Sequence, residues 1–410
     1  MRHHAHVART AAVLAAAMGI GRFVYTPILP LMTAQAGVSA HTAADLATAN
    51  YVGYLVGALA GTVWPRLARS MFACRLCLVA LIVSLVAMPL TTNAIGWITL
   101  RTLAGITSAL VFVIAVNTMM EHLHAHPAHL AGWGFGGVGA GIALSAVLVL
   151  AAGDWQVAWW AAAAVAAVLS LAAWSMHPAP DTATTGTEAR NRPPHGAFAL
   201  LLVSYTLEGI GYIIAGTFLV AAVAHGTPSW LGGGAWLVVG LATVPSAALW
   251  AALSTRWSHP ALLMAALGVQ AAGIAVAGLA GGVSAALTGA VLFGGTFIGV
   301  STLALAAGRL LRYPRAVALL TAGYSAGQIL GPIVVTPLLH HGFRPALVVG
   351  ALVVSIAALV AGVMRIIGWQ PHIRVVEPEI ADAAGELVDH GQYGRAGLVP
   401  APHQRPGPQR

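Results

Sequence analysis

The sequence predicts an all-α polytopic membrane protein: twelve transmembrane helices in two parallel six-helix repeats. Three observations carry this. Only 7% of the 410 residues are charged and 59% are hydrophobic, and the mean hydropathy is +0.83. The stretches between successive charges are as long as bilayer crossings. Fragments of the first half recur in the second at one nearly constant offset. A soluble domain carries roughly a quarter charged residues, so a water-soluble globule of this size could not cover its surface. A soluble enzyme, a nucleic-acid-binding protein and a disordered chain are excluded as whole-chain readings. The net charge of +8 is no nucleic-acid footprint, because all 19 basic residues are arginines scattered between apolar stretches. Two cysteines, Cys74 and Cys77, provide no disulfide framework, and one Cys-x-x-Cys without further ligands is no metal site.

The elements follow in order from the gaps between charges. Residues 76–100, 102–120, 122–153, 155–180, 316–343 and 345–364 contain no Asp, Glu or Arg. Residues 209–255 and 257–308 are also free of charge and each can hold two crossings, divided at the turn-forming stretches 225–234 and 278–284. A crossing needs ~20 apolar residues. Helices are therefore expected near 10–34, 45–64, 72–91, 95–120, 131–152, 155–175, 197–223, 234–253, 260–280, 284–308, 316–339 and 345–367. In lipid every backbone group must be satisfied within its own segment, and the chain lacks the polar–apolar alternation of a β-barrel. Arg2 and Arg9 before an alanine-rich run imitate a secretory leader. The apolar run continues past Arg22 to Met32, which suits a first span instead.

An even number of crossings puts both termini on one side. Sixteen of the 19 arginines fall on that side, only Arg344 falls opposite, and Arg22 and Arg101 lie inside spans. By the positive-inside rule the arginine-rich side is cytoplasmic, in an inner or plasma membrane. Residues 175–196, rich in Pro, Thr and charge, read as a cytoplasmic linker between a first bundle (1–174) and a second (197–370). Residues 371–410 read as a disordered cytoplasmic tail.

The halves look like copies. Residues 18–21 align with 208–211, and 61–69 with 251–259, at an offset of 190. Residues 131–145 align with 322–336 at 191, and 105–108 with 299–302 at 194. Six-helix halves repeated in the same orientation are the architecture of transporters built about a central two-fold axis.

At these residues a resemblance enters. Gly61-x3-Pro65-Arg66-Leu67-Ala68-Arg69 is similar to the major facilitator superfamily's loop motif between helices 2 and 3, with Pro65 in place of its Asp and Ala68 in place of its second Gly. Arg101-x3-Gly105 resembles the helix-4 motif, and Gly327-Gln-Ile-Leu-Gly331-Pro332 the Gly-x3-Gly-Pro pattern. Residues 19–32, 50–57 and 205–219 closely resemble the YbfB/YjiJ-type branch. The resemblance implies the major facilitator fold and secondary transport of a small-molecule substrate by alternating access, with no enzymatic activity. No nucleotide-binding motif is present, so an ion gradient, of protons, is the expected energy source. No cofactor, metal or nucleic acid is expected, and the chain is expected to act as a monomer in the lipid bilayer. A proton-driven drug or metabolite efflux antiporter is the alternative within the class. A membrane receptor or regulator without transport is the alternative outside it, although neither linker nor tail supplies a folded soluble domain. No Ser-His-Asp arrangement or metal ligand set supports a membrane enzyme.

Three ionisable residues stand where charge is expensive: Arg22, Arg101 and Glu208. Each costs ~2.5–3.5 kcal/mol at a helix centre, and such a residue marks a pathway or a partner. Helical rise puts Arg22 ~18 Å and Glu208 ~16 Å from the cytoplasmic edge, and Arg101 ~10–12 Å from the other. The repeat sets Glu208 one turn from Arg22's equivalent place, so an Arg22–Glu208 ion pair is expected, either structural or as the proton-coupling device. Two arginines against one carboxylate leave positive charge in excess, which suits an anionic or amphipathic substrate held by Arg22 or Arg101; Arg101 bonding backbone carbonyls is the structural alternative. Tyr25, Thr26, Asn50, Tyr51, Tyr54, Asn117, Tyr205, Tyr212, Trp236, Tyr324 and Gln328 are candidate cavity residues, with interhelical packing as the alternative for each. Gly61, Arg66, Arg69 and Arg256 are expected to help close the cytoplasmic side. Pro27 and Pro30 interrupt the first helix just beyond Arg22. Glu121, His122, His124, His126 and His129 read as a solvated loop, since Pro127 leaves them no fixed face.

Overall fold

A computed structural model of the chain describes residues 2–123, 128–176, 195–224, 230–280, 282–313 and 315–367. Among them are twelve apolar helices long enough to cross a bilayer and no strand. They are α1 (His4–Ala36), α2 (Ala40–Val63), α3 (Met71–Leu90), α4 (Ala94–His122), α5 (His129–Ala152) and α6 (Trp155–Ser175), then α7 (His195–Val223), α8 (Trp230–Leu253), α9 (His259–Leu279), α10 (Val283–Leu310), α11 (Ala316–His340) and α12 (Arg344–Ile366). The boundaries follow the sequence expectation closely. The main differences are the earlier starts of α1 and α2, whose first turns are too polar to read as membrane. Gly37, at φ +65°, ends α1 in the left-handed conformation, and the Ser39 side chain then accepts from Thr42 N to cap α2. The expected tail, and all of the linker but its edges, lie outside the described residues.

The two halves share one packing plan. In the first, α1 packs on α5 and α6, α2 on α4, and α3 on α4 and α6. In the second, α7 packs on α11 and α12, α8 on α10, and α9 on α10 and α12. Adding six to each helix of the first set gives the second. The halves meet along α5–α8 and α2–α11, seams that a two-fold axis exchanges, and the later part of α1 packs on α7. We call the end where α1 starts and α12 finishes the near end, and the opposite end the far end.

Small residues let these helices touch at backbone distance. On the α5–α8 seam a Cβ at Gly139 would lie 2.6 Å from Val244 N, and one at Gly240 would lie 2.3 Å from Ala143 N. Without a hydrophobic drive between helices in lipid, such close approach supplies the packing energy. Outward-facing Phe72, Leu90, Ile95, Val168 and Ile366 are exposed, as lipid contact requires.

One irregularity positions the site. In α1 the turn over Ala15–Ile20 is a wide π turn, the chain loosens over residues 21–24, and the helix resumes at Tyr25. Thr26 N bonds Phe23 O at 3.2 Å, which leaves Arg22 O outside the helical ladder. Such breaks occur in membrane helices where a side chain re-satisfies the freed groups. Here Arg101 of α4 does so: its Nη2 donates to Arg22 O at 2.9 Å and its Nη1 to Gly21 O at 3.3 Å.

Candidate functional site

The break in α1 presents Arg22 to α2 and α11. Tyr51 and Tyr54 lie three residues apart on one face of α2, and the Arg22 guanidinium sits 4.0 Å from the Tyr54 ring centre and 5.3 Å from that of Tyr51. A cation over aromatic faces gains favourable electrostatics in a desolvated place. Arg22 Nη2 donates to Gln328 Oε1 of α11, so this hydrogen bond joins the two halves.

Arg22 stands on the wall of a cavity of about 90 Å3 that extends toward the near end past Phe112, Phe135 and Leu305. Tyr205 stacks on Tyr324 at 4.4 Å, Tyr324 neighbours Tyr212 at 5.5 Å, and Tyr212 stacks on Phe297 at 4.8 Å. Among the residues lining this chamber only Arg22 is charged. Ligand pockets for drug-sized molecules run ~300–1,000 Å3, so the chamber is contracted here.

On its far side the chamber is sealed. Thr26 Oγ1 donates to Gly216 O at 2.6 Å, and the Tyr51 hydroxyl pairs with Thr217 Oγ1 at 2.7 Å, both across the halves. Beyond them Ala44, Ile214, Phe218, Val335, Leu339 and Ala346 form an apolar plug from both halves.

Several sequence expectations are corrected. Arg22 and Glu208 do not form an ion pair: Arg22 holds Gln328, and Glu208 Oε1 accepts instead from Gln270 Nε2 of α9 at 3.4 Å. Counting from the repeat assumed a regular α1, and the π turn and loosened segment rotate Arg22 toward α2 and α11. Glu208 is fully buried, Gln270 likewise, and neither lines the chamber. Arg101 is absent from the chamber wall because the α1 carbonyls take its donors, while its guanidinium faces Tyr25 at 5.1 Å and Trp159 at 5.9 Å. Tyr25 donates to Ala43 O and Asn50 Nδ2 to Arg101 O, so both serve helix packing rather than the chamber. Asn117 is exposed on the outer face of α4, and Trp236 is buried away from the chamber. Tyr54, Tyr205, Tyr212 and Tyr324 do line it, and Gln328 stands directly behind Arg22.

At the near end Gly61 is buried against Val113, while Arg66 and Arg256 are exposed. Arg69 Nε lies 3.7 Å from Glu121 Oε1, an exposed contact inside the first half. His122 stacks on His6 at 4.2 Å and its Nδ1 pairs with Thr118 O at 2.7 Å; His124 and His126 lie outside the described residues. Gln270 was missed by sequence reasoning, although a lone glutamine at mid-depth in an apolar span was a readable signal.

Twelve spans, a two-fold repeat and a chamber between the halves, sealed on its far side, fit a multi-pass membrane transporter. Residues 14–362 match the family described as "Uncharacterised MFS-type transporter YbfB", and the chain belongs to that family of the major facilitator superfamily. It is accordingly a transporter and not an enzyme. Two solved structures of the nucleoside transporter NupG share the fold. A single-substitution mutant superposes with TM-score 0.68 at 11% identity, covering 88% of this chain and 99% of that one. The other gives 0.65 at 12% identity, covering 90% and 100%. No curated protein matches this chain in sequence.

Proposed function

We propose that the protein is a proton-driven secondary transporter that moves a small amphipathic organic solute by alternating access. The solute's flat apolar part lies against the stacked rings of Tyr205, Tyr324, Tyr212 and Phe297, and its polar head meets Arg22. The observation that carries this is the placement of Arg22 as the single charged group on a wall rich in aromatic rings between the two halves. The neighbour NupG is a nucleoside transporter, and a nucleoside likewise joins a flat ring to a polar part. The near end is cytoplasmic by the arginine count, the protein sits in the cell's inner or plasma membrane, and one chain suffices. The sealed far side and near-side chamber then correspond to a state turned toward the cytoplasm. Exposed Arg66, Arg69 and Arg256 help close that side when the halves rock.

Glu208 is the proton carrier in this reading, through Gln270 rather than Arg22. An ionised carboxylate offers only acceptors, and Glu208 Oε2 and Gln270 Oε1 both lack a donor. A single proton on the carboxyl converts one orphan acceptor into the donor the pair needs, and it removes a charge from a fully buried place.

The test begins with a metabolite screen in cells lacking and overproducing the protein, followed by flux in proteoliposomes with and without a pH gradient. Arg22→Gln is expected to lower flux at least about a hundredfold, the loss of roughly 2.7 kcal/mol of differential binding. Glu208→Gln is expected to leave downhill flux but abolish accumulation driven by the pH gradient. Solute-independent behaviour of all variants would contradict the transport assignment at this site, and gradient-driven accumulation by Glu208→Gln would remove the proton role.

A further inference from the structure

The polar groups around Arg22 do not balance. Arg22 is 3% exposed and Gln328 is fully buried, and no carboxylate lies within ion-pair distance of Arg22 among the described residues. Gln328 Oε1 satisfies one guanidinium donor, but Arg22 Nε and Gln328 Nε2 both lack an acceptor. Two buried donors stand unpaired on opposite halves of the molecule, beside a chamber. A buried donor without a partner costs about 1–3 kcal/mol, more when charged. The deficit is specifically one of acceptors and of negative charge.

We infer that the head group of the solute is a two-oxygen anion, a carboxylate or its equivalent, and that it replaces the side-chain oxygen of Gln328 on Arg22. This rests on the reading of Arg22 as the head-group site and goes beyond it in naming the charge and the consequence. Gln328 is a stand-in for substrate. In the empty chamber it holds Arg22 and so ties α1 to α11. An arriving anion offers bidentate acceptance to the guanidinium, which is stronger than a neutral amide oxygen can provide. Arg22 then turns from Gln328 to the ligand, and the tie between halves is released. Arg22 also lies against Tyr51, whose hydroxyl makes one of the two hydrogen bonds of the far seal. Movement of Arg22 therefore loosens the seal from the chamber side. Occupancy, rather than thermal fluctuation alone, permits the halves to open at the far end. Gln328 is a positioning residue in this scheme.

Spin-label distances across the far end test the idea in the full-length protein in nanodiscs. Labels are placed at Thr92→Cys, in the α3–α4 turn, and at exposed His340→Cys at the end of α11, on a Cys74→Ala, Cys77→Ala background. Without solute, Gln328→Leu is expected to raise the far-open population about tenfold, the shift that about 1.4 kcal/mol produces. Gln328→Glu gives Arg22 an ionic partner and is expected to deplete that population below wild type. Benzoate, a flat ring with one carboxylate, is expected to raise it in the wild-type residue background, and benzamide is not. The proposal is overturned if both variants match the parent or shift it the same way, or if benzoate does no more than benzamide. Solute flux separates this from the broader reading. Flux lost in Arg22→Gln with unmoved distances sinks the latch alone; flux surviving in Arg22→Gln sinks the head-group site itself.

Discussion

Arg22 and Arg101 are both buried arginines at mid-membrane depth, and their surroundings differ. Arg101 spends its two terminal nitrogens on main-chain carbonyls of α1, and Asn50 donates to its own carbonyl from α2. It closes a gap that the broken helix would otherwise leave in lipid. Arg22 donates to a side chain of the other half of the molecule and faces a cavity. The insertion cost is similar for both. Each keeps an unpaired Nε, so what separates them is where the partners lie. Arg101 is tied to main-chain carbonyls of its own half away from the chamber, whereas Arg22 is tied to a side chain of the other half and faces the chamber, which is why we propose Arg22 and not Arg101 as the binding group.

That contrast can be broken at Arg101. Arg101→Leu removes two hydrogen bonds to a charged donor, each worth about 1.5–3 kcal/mol, and leaves the Gly21 and Arg22 carbonyls unsatisfied. A large fall in thermal stability in detergent is expected, with flux per folded molecule falling only because α1 distorts. Unchanged melting would mean the α1 break needs no plug. A smaller effect sharpens the same point. Asn50→Leu removes one interhelical hydrogen bond, for which membrane double-mutant cycles give about 0.6 kcal/mol on average. A slight lowering of the melting point is expected, with flux nearly unaffected; a flux defect as severe as that of Arg22→Gln would place Asn50 at the transport site after all.

The spans were legible because lipid imposes a length and a composition that survive without any alignment. The expected ranges for α3 to α6, α11 and α12 fall within about two residues of the observed helices, and the turn-forming stretches 225–234 and 278–284 separated α7 from α8 and α9 from α10. The identity of the costly residues was legible for the same reason. For Arg101 the backbone-carbonyl alternative held, but the partners of Arg22 and Glu208 were not legible. A residue in a regular helix turns ~100° from the one before it, so the irregular stretch Ala15–Ile20 and the loosened turn after it were enough to aim Arg22 at α2 and α11 instead of at Glu208. Nothing in residues 10–34 announces a π turn before the prolines. Tyr54, Tyr205, Tyr212 and Tyr324 were found as polar aromatics inside spans, whereas Phe297, equally part of the wall, reads from sequence as ordinary core. Asn117 shows the converse: a polar residue inside a predicted span that faces outward.

The decisive measurement is melting temperature and solute flux recorded side by side for Arg22→Gln and Arg101→Leu. A binding group and a structural plug predict crossed results: Arg22→Gln melts within a few degrees of the parent and carries no solute, while Arg101→Leu melts far lower. An Arg22→Gln protein that transports normally, or one that loses stability as Arg101→Leu does, would contradict the assignment of the chamber.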